Sequence, residues 1–137
     1  MKKFISIMLV AAMAVTALTG CGSNSGSSSK KDADKYYIGG IGPTTGATAI
    51  YGTAVKNGAQ IAVDEINAAG GINGKQIEYR FEDDQNDAEK SVNAYNTLKD
   101  WGMQVLMGTV TSAPCVAVAD KTNADNMFQI TPSGSSV

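Results

Sequence analysis

The chain has 137 residues, no histidine, two cysteines and a formal net charge of −2, which is enough for one domain at most. The absence of histidine excludes a Ser-His-Asp triad, a Cys-His pair and an HExxH zinc site. Because the charge is slightly negative and no stripe of lysine and arginine occurs, we expect no nucleic-acid partner.

Residues 1–20 have the profile of a secretory signal. Lys2 and Lys3 give a positive start, and an apolar run follows from Phe4 to Leu18. This run is shorter than the roughly 20 residues that a membrane-spanning helix needs, so a permanent transmembrane anchor is the weaker interpretation. Leu18-Thr19-Gly20-Cys21 resembles the bacterial lipobox, which implies cleavage before Cys21 and attachment of lipid to its sulfur.

Residues 21–35 are predicted as the lipidated cysteine and a flexible linker. The segment GSNSGSSSKKDADK after Cys21 has no large apolar side chain, so it cannot bury surface. We expect it to tether the folded part, residues 36–137, to the outer face of the bacterial membrane or within the periplasm. With Cys21 used for lipid, Cys115 has no disulfide partner and is predicted as a small buried filler.

From Tyr36 onward, short apolar runs alternate with segments of helical periodicity. Residues 36–41 predict a buried strand that ends in glycine and proline. A helix ending at Gly70-Gly71 follows, and after an Asn73-Gly74 turn residues 76–81 alternate as a strand. The predicted inner face of this first helix contains Val55, Ala59, Ala62, Val63 and Ile66.

Four carboxylates in residues 82–87 open the second helix. A calcium site is disfavoured because the residue order of an EF-hand is absent, and we interpret the stretch as a strand end followed by a helix N-cap. This helix is expected to end near Gly102 and to point Ala88, Val92, Tyr95 and Leu98 inward.

The pattern continues with a strand at 104–108, a helix at 113–123 and a strand at 128–130. The third helix is predicted to place Val116, Ala117 and Asp120 roughly on one side. Alternation of strands and helices favours an α/β fold with a doubly wound, Rossmann-like parallel sheet. Ligands bind such sheets outside the carboxyl ends of the strands, so the loops after Ile41, Met107 and Ile130 are the candidate site.

The three loops favour polar binding rather than a nucleotide. Gly40, Gly42 and Gly46 have the wrong spacing for the dinucleotide fingerprint, and Pro43 removes a backbone donor. We therefore expect no cofactor and no metal. The second loop places Ser112 directly before a helix, either as an N-cap or as an anion site. The third loop adds the hydroxyls of residues 133, 135 and 136.

A set of short segments between residues 38 and 84, above all EINAAGGINGK, resembles the leucine/isoleucine/valine-binding proteins. These are periplasmic binding proteins of type I that serve ATP-driven branched-chain amino-acid importers. The resemblance extends over residues 36–137. Because members of that family are bilobal and more than twice as long, it implies the first part of lobe one, with the second lobe absent.

The resemblance also implies site residues. It places the hydroxyl and N–H of Ser112 on the α-carboxylate of the ligand, the backbone of Ser133 and the backbone and hydroxyl of Ser135 on the carboxylate and ammonium, and Tyr51 against the ligand side chain. The chain departs from the family in two places. Asn86 and Thr111 occupy positions where members often have a disulfide, and Ser135 occupies a position where threonine is common.

The function implied by the resemblance is that of a non-enzymatic, monomeric lipoprotein. It would bind a free amino acid between two lobes and deliver it to a membrane permease with its ATPase. The alternative is a sensor ectodomain that reports an amino acid or amide to a receptor. An enzyme has the least support, because the sequence offers no catalytic constellation. With one lobe incomplete and an open sheet edge, residues 21–137 alone are expected to be marginally stable and to bind negligibly.

Overall fold

The computed structural model describes residues 32–135. The proposed signal segment, Cys21 and most of the linker lie outside the described residues. Within the described range, no helix is both long and apolar enough to cross a membrane. Strands and helices alternate in the order β1 (Lys35–Gly42), α1 (Ala49–Ala68), β2 (Gln76–Asp83), α2 (Ala88–Trp101), β3 (Val105–Gly108), α3 (Ser112–Ala124) and β4 (Phe128–Ile130).

Each strand and helix predicted from the sequence is present, with small differences at the ends. The first strand begins one residue earlier than expected, at Lys35. The second continues two residues further than expected, to Asp83, because it pairs with β1 along its whole length, from Lys35 opposite Gln76 to Gly42 opposite Asp83. The left-handed conformations predicted after α1 are found at Gly70 (φ 102°) and Gly71 (φ 78°).

The four strands form one parallel sheet in the order β2-β1-β3-β4. The crossover from β1 to β2 runs in one direction across the sheet, and the crossovers from β2 to β3 and from β3 to β4 run in the other. Because such crossovers are right-handed, α1 lies on one face of the sheet and α2 and α3 lie together on the other. This arrangement confirms the doubly wound α/β fold.

The face covered by α2 and α3 carries the hydrophobic core. Gly39 in β1 lies so close to α2 that an added Cβ would be 3.0 Å from Leu98 Cδ1. The hydroxyl of Tyr95 reaches the end of α3 and donates to Asp125 Oδ2 at 2.9 Å. The residues of this core with no exposed surface are Ile41, Tyr95, Leu98, Leu106 and Val118.

The face covered by α1 is packed less completely, and the predicted inner face of α1 is partly wrong. Val63 is buried as expected, and Val55 and Ala59 are half-buried, but Ala62 and Ile66 are exposed. The reason is geometric: α1 packs mainly over β1 and β2. A residue that turns away from those two strands is left exposed.

The inward face of α2 differs in detail from the prediction, and α3 buries residues other than the three that the sequence groups on one side. In α2, Tyr95 and Leu98 are buried as expected, whereas Ala88 is exposed because it is the first residue of the helix. In α3 the buried residues are Pro114, Val118 and Thr122. The three residues that the sequence groups on one side are not buried: Val116 and Asp120 are exposed, and Ala117 is half-buried.

The two ends of α2 follow the sequence-based expectation. Asp87 is its N-cap, and the carboxylate of Asp87 accepts a hydrogen bond from the N–H of Lys90 at 2.8 Å. Gly102 ends the helix in the left-handed conformation, with φ 91°. The acidic stretch thus includes the strand end and the helix cap that we predicted.

Candidate functional site

A cavity of about 440 Å³ opens at the carboxyl edge of the sheet. Tyr51 comes from the element that follows β1, and Ser112 comes from the element that follows β3. These neighbouring strands are the point where the crossovers diverge to opposite faces, which is where doubly wound sheets bind ligands. The residues that line the cavity are Tyr51, Asn86, Val110, Thr111, Ser112, Ala113 and Ser133.

Three of the four predicted ligand-binding residues line this cavity, namely Tyr51, Ser112 and Ser133. The fourth, Ser135, is not among the lining residues but is in direct contact with one of them. Its N–H donates to Ser112 Oγ at 3.0 Å. The structure therefore brings all four together at one place, while their contacts with a ligand stay a prediction.

The amino end of α3 forms one wall of the cavity. The helix begins at Ser112, and its N-cap is Thr111, whose side chain makes no capping hydrogen bond. Of the two alternatives for Ser112, the N-cap is therefore not found, because Ser112 is already the first residue of the helix. Thr111 Oγ1 is buried and has no hydrogen-bond partner among the described residues. Because the first N–H groups of a helix have no partner inside it, this end of α3 presents donors and a partial positive charge.

The segment after β4 is held against the loop after β3 by hydroxyl groups. Thr131 Oγ1 donates to the carbonyl of Thr109 at 2.9 Å and accepts from the N–H of Gly134 at 2.8 Å. The hydroxyl of Ser133 donates to the carbonyl of Val110. This bond uses the hydrogen of the Ser133 hydroxyl, whose oxygen can still accept; the contact of Ser133 with a ligand stays a prediction.

Tyr51 stands on the first turn of α1, and a glycine sets its position. An added Cβ on the neighbouring residue Gly52 would lie 1.9 Å from the carbonyl oxygen of Pro43. Only glycine allows this turn of α1 to approach the buried Pro43 so closely. Tyr51 is 60% exposed and lines the cavity.

The loop after β2 contributes Asn86, which sequence reasoning did not place in the site. We expected the site in the loops after β1, β3 and β4, but β2 is the neighbour of β1 and ends at the same edge. Asn86 adopts a positive φ of 62°, which asparagine tolerates better than most residues. Val110, Thr111 and Ala113 were likewise not predicted as lining residues; they flank Ser112 in the sequence.

Two consecutive aspartates border the site and have opposite pKa shifts. Burial opposes ionisation of Asp83, but hydrogen bonds from the Thr45 hydroxyl and from the N–H groups of Thr44 and Gln85 outweigh it and hold the pKa of this carboxyl below its ordinary value. Burial raises the pKa of Asp84, which has no exposed surface, although the N–H of Asn86 and the hydroxyl of Ser91 donate to it.

The residues that line the cavity include no charged side chain. They offer hydroxyls, an amide, backbone groups and the apolar surfaces of Tyr51, Val110 and Ala113. Within residues 32–135, no group of three or more His, Cys, Asp or Glu residues could hold a metal ion. The arrangement is suited to hydrogen bonding of a small polar molecule against an apolar wall.

A second cavity, of about 480 Å³, lies at the opposite edge of the sheet. It is lined mostly by apolar side chains near the amino ends of β1 and β3, among them Tyr36, Ile38 and Val105. Although it is slightly larger, it has few polar groups to orient a ligand, and it lies away from the carboxyl ends where this topology binds ligands. The smaller cavity is therefore the candidate site.

Residues 35–137 match the family model described as periplasmic binding protein. The chain belongs to this family, and its sheet corresponds to part of one lobe of the type I fold. Members are substrate-binding proteins of transporters rather than enzymes, and membership implies an extracytoplasmic location.

Individual relatives agree with this assignment. A Leu/Ile/Val-binding protein of Rhizobium johnstonii is 41% identical over 95 residues, which are 69% of this chain and 26% of the relative. A leucine-, isoleucine-, valine-, threonine- and alanine-binding protein of Pseudomonas aeruginosa is 36% identical over 101 residues, which are 74% of this chain and 27% of the relative.

Among solved structures, the fold is similar to the branched-chain amino acid transporter substrate-binding protein of Streptococcus pneumoniae in complex with isoleucine. The TM-score is 0.71 with 35% sequence identity, over 74% of this chain and 30% of that chain. The chain thus spans between a quarter and a third of the length of these relatives.

Proposed function

We propose that this chain forms part of the ligand-binding lobe of a solute-binding protein for an ABC importer, and that the ligand is a free, branched-chain amino acid. The observation that carries the proposal is the end of α3. A helix amino terminus without a side-chain cap opens, with Ser112, into a cavity that also contains an apolar wall. The names of the relatives support the same class of ligand.

In this proposal, each predicted residue has a role that follows from the chemistry of a zwitterion. The α-carboxylate lies at the amino end of α3 and is bound by the hydroxyl and N–H of Ser112. The backbone of Ser133 and the backbone and hydroxyl of Ser135 complete the polar side. Tyr51 packs against the ligand side chain, and a second lobe supplies the partner of the ammonium group.

The mechanism we propose is closure of two lobes about a hinge, followed by delivery of the amino acid to a permease and its ATPase. The protein acts as a monomer and performs no catalysis. Titration calorimetry of the complete protein that carries this sequence, with leucine, isoleucine and valine, is the direct test. Heat of binding for at least one of them is expected. A protein that gives no heat with any of the three contradicts the proposed ligand class.

We also propose that the protein is anchored to the outer face of the membrane through a lipid on Cys21. The apolar run followed by Leu18-Thr19-Gly20-Cys21 supports this. Metabolic labelling with an alkyne-bearing fatty acid is expected to mark the wild-type protein and not the Cys21→Ala variant. Label that persists in the variant rejects the anchor at Cys21.

A further inference from the structure

Asp83, the last residue of β2, connects two of the loops that surround the cavity. Its Oδ1 accepts hydrogen bonds from the N–H of Thr44 at 2.8 Å and from the N–H of Gln85 at 3.0 Å. Its Oδ2 accepts from the hydroxyl of Thr45 at 2.5 Å. One carboxylate thus ties the loop after β1 to the loop after β2.

Asp84, the first residue after β2, makes its hydrogen bonds with different partners. It accepts from the N–H of Asn86 at 2.8 Å and from the hydroxyl of Ser91 at 3.1 Å. Asp84 therefore fixes the loop after β2 on α2. Because that loop is fixed, the hydrogen bonds from Thr44 and Thr45 to Asp83 also fix the position of the loop after β1.

The loop after β1 leads directly to Tyr51. From Thr45 the chain passes through two turns, in which Ala49 N–H donates to the Gly46 carbonyl at 3.3 Å and Tyr51 N–H donates to the Thr48 carbonyl at 3.1 Å. Tyr51 itself is 60% exposed, so packing around its ring does little to fix it. Its position depends on the backbone, which is set on one side by the close approach of Gly52 to Pro43 and on the other by the loop that Asp83 holds.

We propose that Asp83 is a positioning residue of the candidate site: without lining the cavity, it holds the loop after β1 so that Tyr51 stands opposite Ser112. This inference depends on the proposed function for its effect on affinity. The geometry on which it stands, three hydrogen bonds from two loops to one carboxylate, does not depend on which ligand is bound.

The test compares two aspartates of the same acidic stretch in the complete protein. Asp83→Ala removes all three hydrogen bonds to the loops, whereas Asp87→Ala removes the cap of α2 and leaves the loop after β1 untouched. We expect Asp83→Ala to weaken leucine or isoleucine binding about tenfold, because hydrogen bonds to a charged acceptor are the stronger ones. Asp87→Ala should lower the melting midpoint and leave the dissociation constant unchanged.

Asp83→Asn serves as the conservative variant. Its side-chain oxygen can still accept from Thr44 and Gln85, so we expect it to restore affinity to within about threefold of wild type. A residue that only stabilises the fold would lower the melting midpoint of both alanine variants and leave both dissociation constants unchanged. That result would overturn the proposal.

Two further measurements keep the test decisive. If Asp83→Ala does not fold, Thr45→Val removes a single hydroxyl contact, and an affinity equal to wild type would count against the proposal. If the wild-type protein binds none of the three amino acids, the proposed function fails, and amide hydrogen exchange decides the positioning role. Asp83→Ala must then speed exchange at Thr44 and Tyr51 while Asp87→Ala does not; equal exchange in both variants rejects it.

Discussion

The two faces of the sheet differ in how completely they are covered. On one face α2 and α3 pack side by side and bury Leu98 and Leu106 with no exposed surface. On the other face α1 covers mainly β1 and β2, and on β4 the side chains of Phe128 and Ile130 are 65% and 54% exposed. A parallel sheet of this class normally has helices on both faces. The described residues thus contain one complete hydrophobic core and one partial core.

The candidate site lies where the two faces meet, and this position explains its mixed construction. Tyr51 and the loop after β1 belong to the open face, while the amino end of α3 belongs to the closed one. The wall of hydroxyls and helix donors is therefore anchored on a packed core. The wall that carries Tyr51 needs additional local support, which it obtains from Gly52 and Asp83.

The largest expected difference between the faces concerns a leucine and an isoleucine of similar size. Leu98→Ala on the closed face should reduce the free energy of unfolding by about 2 to 5 kcal/mol, because a cavity remains in a close-packed core. Ile61→Ala on α1, where the side chain is 60% exposed, should change it by less than about 1 kcal/mol. Urea unfolding of both variants measures the contrast, and equal losses would contradict it.

A pair of glycines in α1 gives the next largest effect. Gly52→Ala places a Cβ 1.9 Å from the Pro43 carbonyl oxygen and should cost about 1 to 3 kcal/mol, since the first turn of α1 must move. Gly58→Ala has open space around the new Cβ and should gain up to about 1 kcal/mol from helix propensity. We expect thermal unfolding to show a lower melting midpoint for Gly52→Ala and a higher one for Gly58→Ala. Two decreases of equal size would show that the contact with Pro43 is unimportant.

A structural feature can be predicted from this sequence when it is determined by residues that are close together in the chain. The periods of the apolar residues, the Gly70-Gly71 helix end and the Asp87 cap are local, and they were predicted correctly. The burial of α1 was not, because which residues of a helix are covered depends on the strand order. The pattern of Val55, Ala59 and Val63 cannot show that order.

The same distinction applies to the candidate site. Ser112, Ser133 and Tyr51 were predicted through the family resemblance and the rule for carboxyl ends of strands, and they line one cavity. Asn86 was missed because its loop became part of the site only through the pairing of β2 with β1. Thr111 was named only as a position where family members often have a disulfide; that it is the N-cap of α3 depends on where the helix begins.

The neighbouring carboxylates Asp83 and Asp84 should make opposite contributions to the pH dependence of the stability. The folded pKa of Asp83 lies below the ordinary 3.8, so its contribution is present above the unfolded pKa and is lost as the pH falls through the folded pKa. Asp84, whose pKa is raised by burial on the closed face, has the opposite sign: protonation as the pH falls through its raised pKa favours the folded state.

Asp83→Asn isolates the first of these contributions, because Asp84 is present in both proteins. We expect the wild type to be more stable than the variant by about 1 kcal/mol near neutral pH, with the difference shrinking as the pH falls below 3.8. Urea unfolding at a series of pH values measures this. A difference that stays constant with pH would show that the charge of Asp83 makes no contribution.

The smallest expected effect tests the open face itself. Phe128→Gln should change the free energy of unfolding by about 0.5 kcal/mol or less, because most of the ring already contacts water. Met103→Gln on the closed face, where the side chain is 5% exposed, should cost about 1 to 3 kcal/mol, since an amide is then buried without a partner. If the two variants lose the same amount, Phe128 is covered in solution as thoroughly as Met103, and the contrast between the faces fails.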